Sequence, residues 1–178
     1  MKVLKDDFEK PKYSFFARFL HWCFVIIFAY GIYKQVDDIN QLDDISFFRT
    51  EIIFASVFLL FLIFRFFYMT KTQKTSIPED TPKSQKFAAK IVHLSMYICL
   101  AGIAISGLLI GYFFSLGFRD ELLMNIIVGA HEFFVSIIYW LISFHVIAAI
   151  YHRLKNDGVW SSMVPIWKER KINREKSQ

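Results

Sequence analysis

Four long apolar stretches limit what this chain can fold into more than any other feature of its sequence. They cover residues 19–33, 52–68, 91–118 and 126–151 of 178. Each approaches the ~20 residues that a helix needs to cross a hydrocarbon layer ~30 Å thick. The composition agrees, because 55% of the residues are hydrophobic and 19% are aromatic, more than in an ordinary soluble domain. The sequence therefore predicts an all-α fold, an integral membrane four-helix bundle.

The four spans belong to one predicted domain, residues 1–165. We place them at about residues 14–36, 46–68, 88–115 and 126–153, the first one lengthened because its apolar run is short unless the helix begins near Tyr13. The stretch 70–86 contains Pro78 and Pro82 among polar residues, which is typical of a linker. Residues 166–178 are predicted to form a polar cytoplasmic tail. No small-residue cleavage pattern follows the first apolar run, so we expect that span to stay in the mature protein.

The basic residues are sorted by side of the membrane. Residues 1–18 contain five Lys or Arg, residues 69–90 contain five, and the chain from Arg153 onward contains seven. The two other loops contain only Lys34, Arg49 and Arg119, together with the acidic residues Asp37, Asp38, Asp43, Asp44, Asp120 and Glu121. By the positive-inside rule both termini are cytoplasmic. Topology thus explains the net charge of +5, and no nucleic-acid partner is expected.

Three histidines, His131, His145 and His152, lie in or beside the fourth apolar stretch. Fourteen residues separate the first two, and seven separate the next two. On a helix these steps are ~21 Å and ~10 Å, with turns of only ~40° and ~20° around the axis, so the three share one side. Ionisable groups this deep in a membrane normally face the bundle interior. Three uses remain open: hydrogen bonds between helices, proton transfer, and ligation of the iron of a non-covalent haem.

The remaining histidines, His21 and His93, lie near the predicted cytoplasmic starts of spans one and three. A six-coordinate haem iron takes its axial ligands from opposite sides. His21 and His145 can supply them if the first helix begins a turn or more before residue 18. The two cysteines lie inside apolar runs without CxxC or CxxCH spacing, so we expect them to act as small core residues.

Three segments resemble the bacterial cytochrome b561 family, four-helix inner-membrane b-type cytochromes related to the cytochrome subunits of nickel-iron hydrogenases. They are RFLHW in the first span, HLSMYICLAGIAISGLLIGY in the third, and HEFFVSIIYWLISFHVIAAIYHRLKNDGVWSSMVP from the fourth onward. The resemblance covers about residues 13–165. It implies a multi-pass protein of the bacterial inner membrane with two stacked haem b groups. His21 and His145 would hold the cytoplasmic-side haem, and His131 with a histidine early in the second helix would hold the periplasmic-side haem.

The expected second-helix histidine is missing. Counting back from Arg65, which matches the family's arginine near the end of that helix, its position falls at Glu51. Four alternatives stay open: a single haem, a second haem bound only through His131, a weak or pH-dependent Glu51 ligand, or a shifted alignment. Pairing of Glu51 with Arg49, Arg119 or His131 is a further, purely structural interpretation. The sequence favours one haem b, with the second site lost or weakened.

His93 and His152 also match family positions, to which we assign no axial ligation. Their depth near the cytoplasmic face, with Arg65 nearby, suits contact with haem propionates or with a quinone headgroup. The alternative is a histidine at the water interface without a special role.

The resemblance implies electron transfer in a respiratory or redox chain, with ubiquinone or menaquinone as one partner and a periplasmic redox protein among the others. Bis-histidine iron has no open position for bond chemistry, and we assign no catalytic residue. One alternative is superoxide:quinone oxidoreductase (superoxide oxidase) activity, for which the few periplasmic cations predict weak steering. Another is a degenerate membrane anchor or assembly subunit, whose acidic loop 36–44 would suit a basic partner. Membrane lipid and a homodimer complete the expected partners.

Overall fold

The structure, a computed structural model, describes residues 12–34, 36, 38–119 and 122–169. Several features discussed above lie outside these residues: most of the basic N-terminal tail, the loop carboxylates Asp37, Asp120 and Glu121, and residues 170–178 of the predicted polar tail.

Helices account for most of the described chain. They are α1 (Phe15–Tyr33), a short 3₁₀ helix (Ile39–Asp43), α2 (Ile45–Thr72), α3 (Lys83–Ser115), α4 (Leu122–Lys155) and the single-turn α5 (Val159–Met163). No strand occurs among the described residues. The four long helices are each long and apolar enough to cross a membrane. The predicted all-α, four-span fold is confirmed.

Side chains at the helix starts account for two of the boundaries. Ser14 precedes α1 and accepts a hydrogen bond from the Ala17 amide at 3.1 Å. Asp44 precedes α2 and accepts one from the Ser46 amide at 2.8 Å. Both side chains satisfy amide groups that have no partner within their helix. After α4 the backbone turns through Gly158, whose φ of 89° suits glycine, and continues directly into α5.

The long helices run alternately up and down, so the bundle has two distinct ends. We call the end where α1 and α3 begin and α2 and α4 finish the basic end, and the opposite end the acidic end. Neighbours in sequence pack together: α1 on α2, α2 on α3, and α3 on α4. Among the described residues, α1 and α4 have no comparable contact, and α5 is the element that touches both. The two helices that carry His21 and His145 are therefore not packed against each other along their lengths.

Two apolar clusters hold the bundle together. The larger one fills its middle and consists of buried Phe24, Phe58, Leu62, Cys99, Leu100, Ala104 and Ile138. The smaller one, at the acidic end, consists of Leu42, Phe114 and Met124. Both cysteines are free thiols, and Cys99 belongs to the larger cluster. Large exposed side chains such as Ile26, Leu60 and Phe144 cover the outside, as expected of helices in lipid.

Candidate functional site

Three of the five histidines come together in the half of the bundle nearest the basic end. His21 is six residues into α1, His93 is ten residues into α3, and His145 is ten residues before the end of α4. These positions lie ~9 to ~15 Å along their helices from that end. The His93 and His145 rings meet almost at right angles, with centroids 5.0 Å apart. Both lie close enough to His21 to affect it electrostatically.

Arg65 of α2 connects this group to its surroundings. Its Nη1 donates to the Tyr97 hydroxyl at 2.7 Å, and its Nη2 lies 2.9 Å from Nδ1 of His21. A guanidinium can only donate, so His21 accepts through Nδ1 and, as a neutral ring, carries its proton on Nε2. The Arg65 side chain also lies over the Phe24 ring, with Cζ 5.5 Å from the centroid.

The charge on Arg65 has no counterion among the described residues. None of their carboxylates lies within ion-pair distance of it, and its Nε is buried without a hydrogen-bond partner. A cation within a membrane protein normally pairs with an anion or with polar groups. Arg65 therefore offers a binding position for an anionic group from outside the chain.

His93 offers the site a ring nitrogen with a free lone pair. Its Nδ1 is 2.7 Å from the carbonyl oxygen of Ala89, one turn earlier in α3. Because a carbonyl can only accept, this nitrogen carries the ring proton, and Nε2 keeps its lone pair. His93 is suited to accept a proton or a hydrogen bond at Nε2.

The residues at the basic end fit a haem. Two partly buried imidazoles, His21 and His145, stand on the two helices that do not pack directly against each other, and a haem iron takes its two axial ligands from opposite sides. Arg65 adds an uncompensated cation beside them, which suits the propionates of a haem. No group of three or more His, Cys, Asp or Glu among the described residues is arranged to hold a bare metal ion. The donor set thus suits haem iron rather than a tetrahedral metal such as zinc.

His152 lies apart from this group, at the end of α4. Its Nδ1 is 2.7 Å from Oδ2 of Asp157, a side chain only 4% exposed. Lys155 Nζ approaches the same oxygen at 3.5 Å. The other carboxylate oxygen of Asp157 accepts from the Val159 amide at 3.3 Å, so His152 is tied to the turn that leads into α5.

Two polar groups of the acidic half are engaged with protein partners. Glu51 of α2 forms an ion pair with Lys34, at the end of α1, and not with any of the three partners considered from the sequence. His131 of α4 lies with Nδ1 2.9 Å from the Ser106 hydroxyl of α3. That hydroxyl donates its proton to the Gly102 carbonyl at 2.6 Å, so His131 donates from Nδ1.

Sequence reasoning missed three contributors: Tyr97, Asp157 and Trp22. Tyr97 follows His93 by four residues, so it shares a helix face with a histidine already singled out. Asp157 is the nearest carboxylate after His152, in the turn beyond its helix. Trp22 directly follows His21, and nothing in the sequence indicates its partner, the Met163 carbonyl.

Comparison with known protein families identifies the family of the chain. The family model of prokaryotic cytochrome b561 matches residues 12–165. The chain belongs to the prokaryotic cytochrome b561 family. Comparisons with curated proteins and with solved structures gave no match. The protein is thus a multi-pass bacterial inner-membrane b-type cytochrome of electron transfer, and the resemblance seen in its sequence is confirmed.

Membership implies b-type haem, which proteins of this kind hold non-covalently. Members of the family interact with quinones and with the membrane.

Proposed function

We propose that this cytochrome holds haem b at its basic end through His21 and His145, and that this haem exchanges electrons with membrane quinone. The observation that carries the proposal is the convergence of these two histidines with Arg65 and His93, from all four long helices, in one half of the bundle. A bound haem supplies one reversible electron through its Fe(III)/Fe(II) couple. The positive-inside rule places the basic end, with both termini, on the cytoplasmic side.

The protein's own residues prepare this position. His145 and His21 provide imidazole nitrogens from α4 and α1. Ligation through Nε2 of His21 requires its proton to reside on Nδ1, so Arg65 must then release Nδ1 and turn its Nη2 to another acceptor. A propionate is such an acceptor, and it would also compensate the guanidinium charge. Tyr97, bonded to the other guanidinium nitrogen, keeps Arg65 oriented toward the site.

His152 and His93 are suited to the quinone. Ubiquinone or menaquinone must take up protons when it is reduced, and a histidine near the membrane surface can supply them. Hydrogen bonding to the buried Asp157 carboxylate orients the His152 ring. His93 is exposed and has an Nε2 lone pair, which suits a proton relay beside His145.

The charges at the acidic end favour this function over superoxide oxidation. Gathering an anion requires uncompensated cations at the mouth of the protein. Two of the three cations in this region are already paired, Lys34 with Glu51 and Arg119 with Asp43 at 2.6 Å.

The same end offers little to a basic partner, which weighs against an assembly subunit. Asp38 accepts from the Asn40 amide at 2.8 Å and caps the 3₁₀ helix, while Asp44 caps α2. Asp43 is paired with Arg119. These three carboxylates of the acidic loop have structural partners within the chain.

The test is haem b per polypeptide, measured as the pyridine haemochrome of detergent-purified protein, together with reduction of the haem by a quinol. We expect the wild type to bind haem that a quinol can reduce. His21→Ala and His145→Ala should lose the haem. His131→Ala, a histidine variant at the other end, is the matched control and should keep it. Full haem content in both His21→Ala and His145→Ala would contradict the proposed ligands. A wild type without haem would favour the assembly subunit.

A further inference from the structure

We infer that a buried ion pair between Lys34 and Glu51 stands where this bundle would hold a second haem, so that its redox chemistry is confined to the basic end. The inference rests on the proposed haem at His21 and His145. It concerns the other half of the molecule, where the residues present do not fit a haem.

The ligands at the acidic end are insufficient. All five histidines of the chain are accounted for, and only His131 lies in this half. The resemblance places the partner position at Glu51, and a carboxylate is a poor substitute for imidazole on haem iron, whose usual protein ligands are His, Cys, Met and Tyr. Within the described part of the chain, a second haem here would have one imidazole at most.

Glu51 is also not available as a substitute ligand. Its carboxylate pairs with the Lys34 ammonium, and the two side chains are only 19% and 11% exposed. The faces of Phe47 and Phe54 lie 5.7 and 5.5 Å from the Lys34 nitrogen and stabilise the cation further. If Glu51 turned to an iron, Lys34 would be left as a buried unpaired charge, which is strongly unfavourable.

The helices are closely packed at the same level. Ile52, the next residue after Glu51, lies so near α3 that a Cβ on Gly111 would overlap its Cδ1. Phe54 approaches α1 in the same way, and a Cβ on Gly31 would be 3.0 Å from its ring. Side chains of α2 thus occupy the space beside both glycines. A porphyrin, which is a wide flat plate, would have to displace both Ile52 and Phe54.

The loops at the acidic end cover the ends of the helices. Buried Leu42 of the 3₁₀ helix packs with Phe114 and Met124. The ion pair of Arg119 with Asp43 joins the loop after α3 to this 3₁₀ helix, and the Arg119 guanidinium lies 4.6 Å from the Phe114 centroid. Apolar packing and an ion pair therefore occupy the face from which a second redox centre would be approached.

The experiment measures haem per polypeptide and the number of components in a redox titration of the haem absorption band, on full-length protein in detergent. We compare the wild type with Glu51→Gln, with the double variant Lys34→Met/Glu51→Gln, and with Glu132→Gln. The last is the matched control, because Glu132 is an exposed carboxylate of α4 in the same half. We expect one haem and one component in all four proteins.

Thermal stability shows whether Glu51 belongs to a structural ion pair or is a ligand of haem iron. Glu51→Gln should lower the melting temperature, and the double variant should recover part of the loss because no buried charge remains unpaired. If Glu51→Gln fails to fold, the double variant still reports the haem count. Two haems in the wild type would overturn this inference alone and leave the proposed haem at His21 and His145 standing. A wild type without haem would overturn the proposed function as well.

Discussion

The indole N–H of Trp22 donates to the backbone carbonyl of Met163, with 3.0 Å between nitrogen and oxygen. This bond joins α1 to α5, the element that also contacts α4. Trp22 adjoins His21, and their rings meet edge to face with centroids 5.8 Å apart. Since α1 and α4 do not pack directly, the bond helps to set the separation of the two helices that carry the proposed haem ligands.

Replacing Trp22 should loosen the haem site. Trp22→Phe keeps an aromatic ring but removes the donor, so the free energy of unfolding should fall by about 1 kcal/mol. Haem should leave faster, measured as its rate of transfer to an apoprotein acceptor. Trp160→Phe is the matched control, because the Trp160 indole of α5 donates to the Ile166 carbonyl, only six residues further along the chain, at 3.0 Å. Equal haem loss from both variants would show that the link between α1 and α5 is not what matters.

Arg65 should matter to haem binding more than to folding. Arg65→Leu removes a buried cation that lacks a counterion, a change that is often neutral or stabilising. Haem content should nevertheless fall severalfold, because the propionates lose their partner. Tyr97→Phe removes only one hydrogen bond to Arg65, costs about 1 kcal/mol and should keep the haem. An Arg65→Leu protein that unfolds readily yet retains all its haem would assign Arg65 a structural role instead.

Close packing of α3 on α4 depends on Gly102. A Cβ there would lie 2.7 Å from two ring carbons of Phe134, so Gly102→Ala should destabilise the protein by ~1–3 kcal/mol through overpacking. Gly129→Ala is the control, since a Cβ at that helical position meets nothing within 4 Å. It should be neutral or stabilise by up to ~1 kcal/mol through helix propensity. Thermal unfolding in detergent, followed by circular dichroism, gives both values.

The contact of Ser106 with His131 is expected to be structural. Ser106→Ala removes the acceptor at 2.9 Å from the His131 ring, which should cost about 1 kcal/mol and leave the haem content unchanged. Ser143→Ala serves for comparison, because its hydroxyl donates only to Tyr139 one turn earlier, at 2.8 Å. Loss of a haem component in Ser106→Ala, but not in Ser143→Ala, would instead make His131 a ligand.

Much of the bundle was predictable because its constraints are local. The thickness of the hydrocarbon layer sets how many consecutive apolar residues a span needs, so counting them along the chain gave four helices, which the structure contains. Helical periodicity likewise indicated that His131 and His145 face the interior from opposite halves, and each contacts a residue of α3 there. Neither conclusion required knowledge of another helix.

The sequence did not predict which side chains contact each other between helices. The partner of Glu51 is Lys34, seventeen residues away, although Arg49 and Arg119 are equally plausible by charge and side of the membrane. Arg65 finds Tyr97 thirty-two residues further on, and Trp22 finds a carbonyl 141 residues away. Such choices depend on the rotation and spacing of packed helices, which hydrophobic pattern alone does not specify.

By itself, the sequence determined the membrane class and the number of helices, because these follow from hydropathy, and it determined the family through the segments that carry the resemblance. Only the tertiary structure decided that His21, Arg65, His93 and His145 meet at one end, and that Lys34 neutralises Glu51 at the other. The physical reason is that ion pairs and hydrogen bonds within a bundle form between side chains made adjacent by helix packing, whatever their separation along the chain.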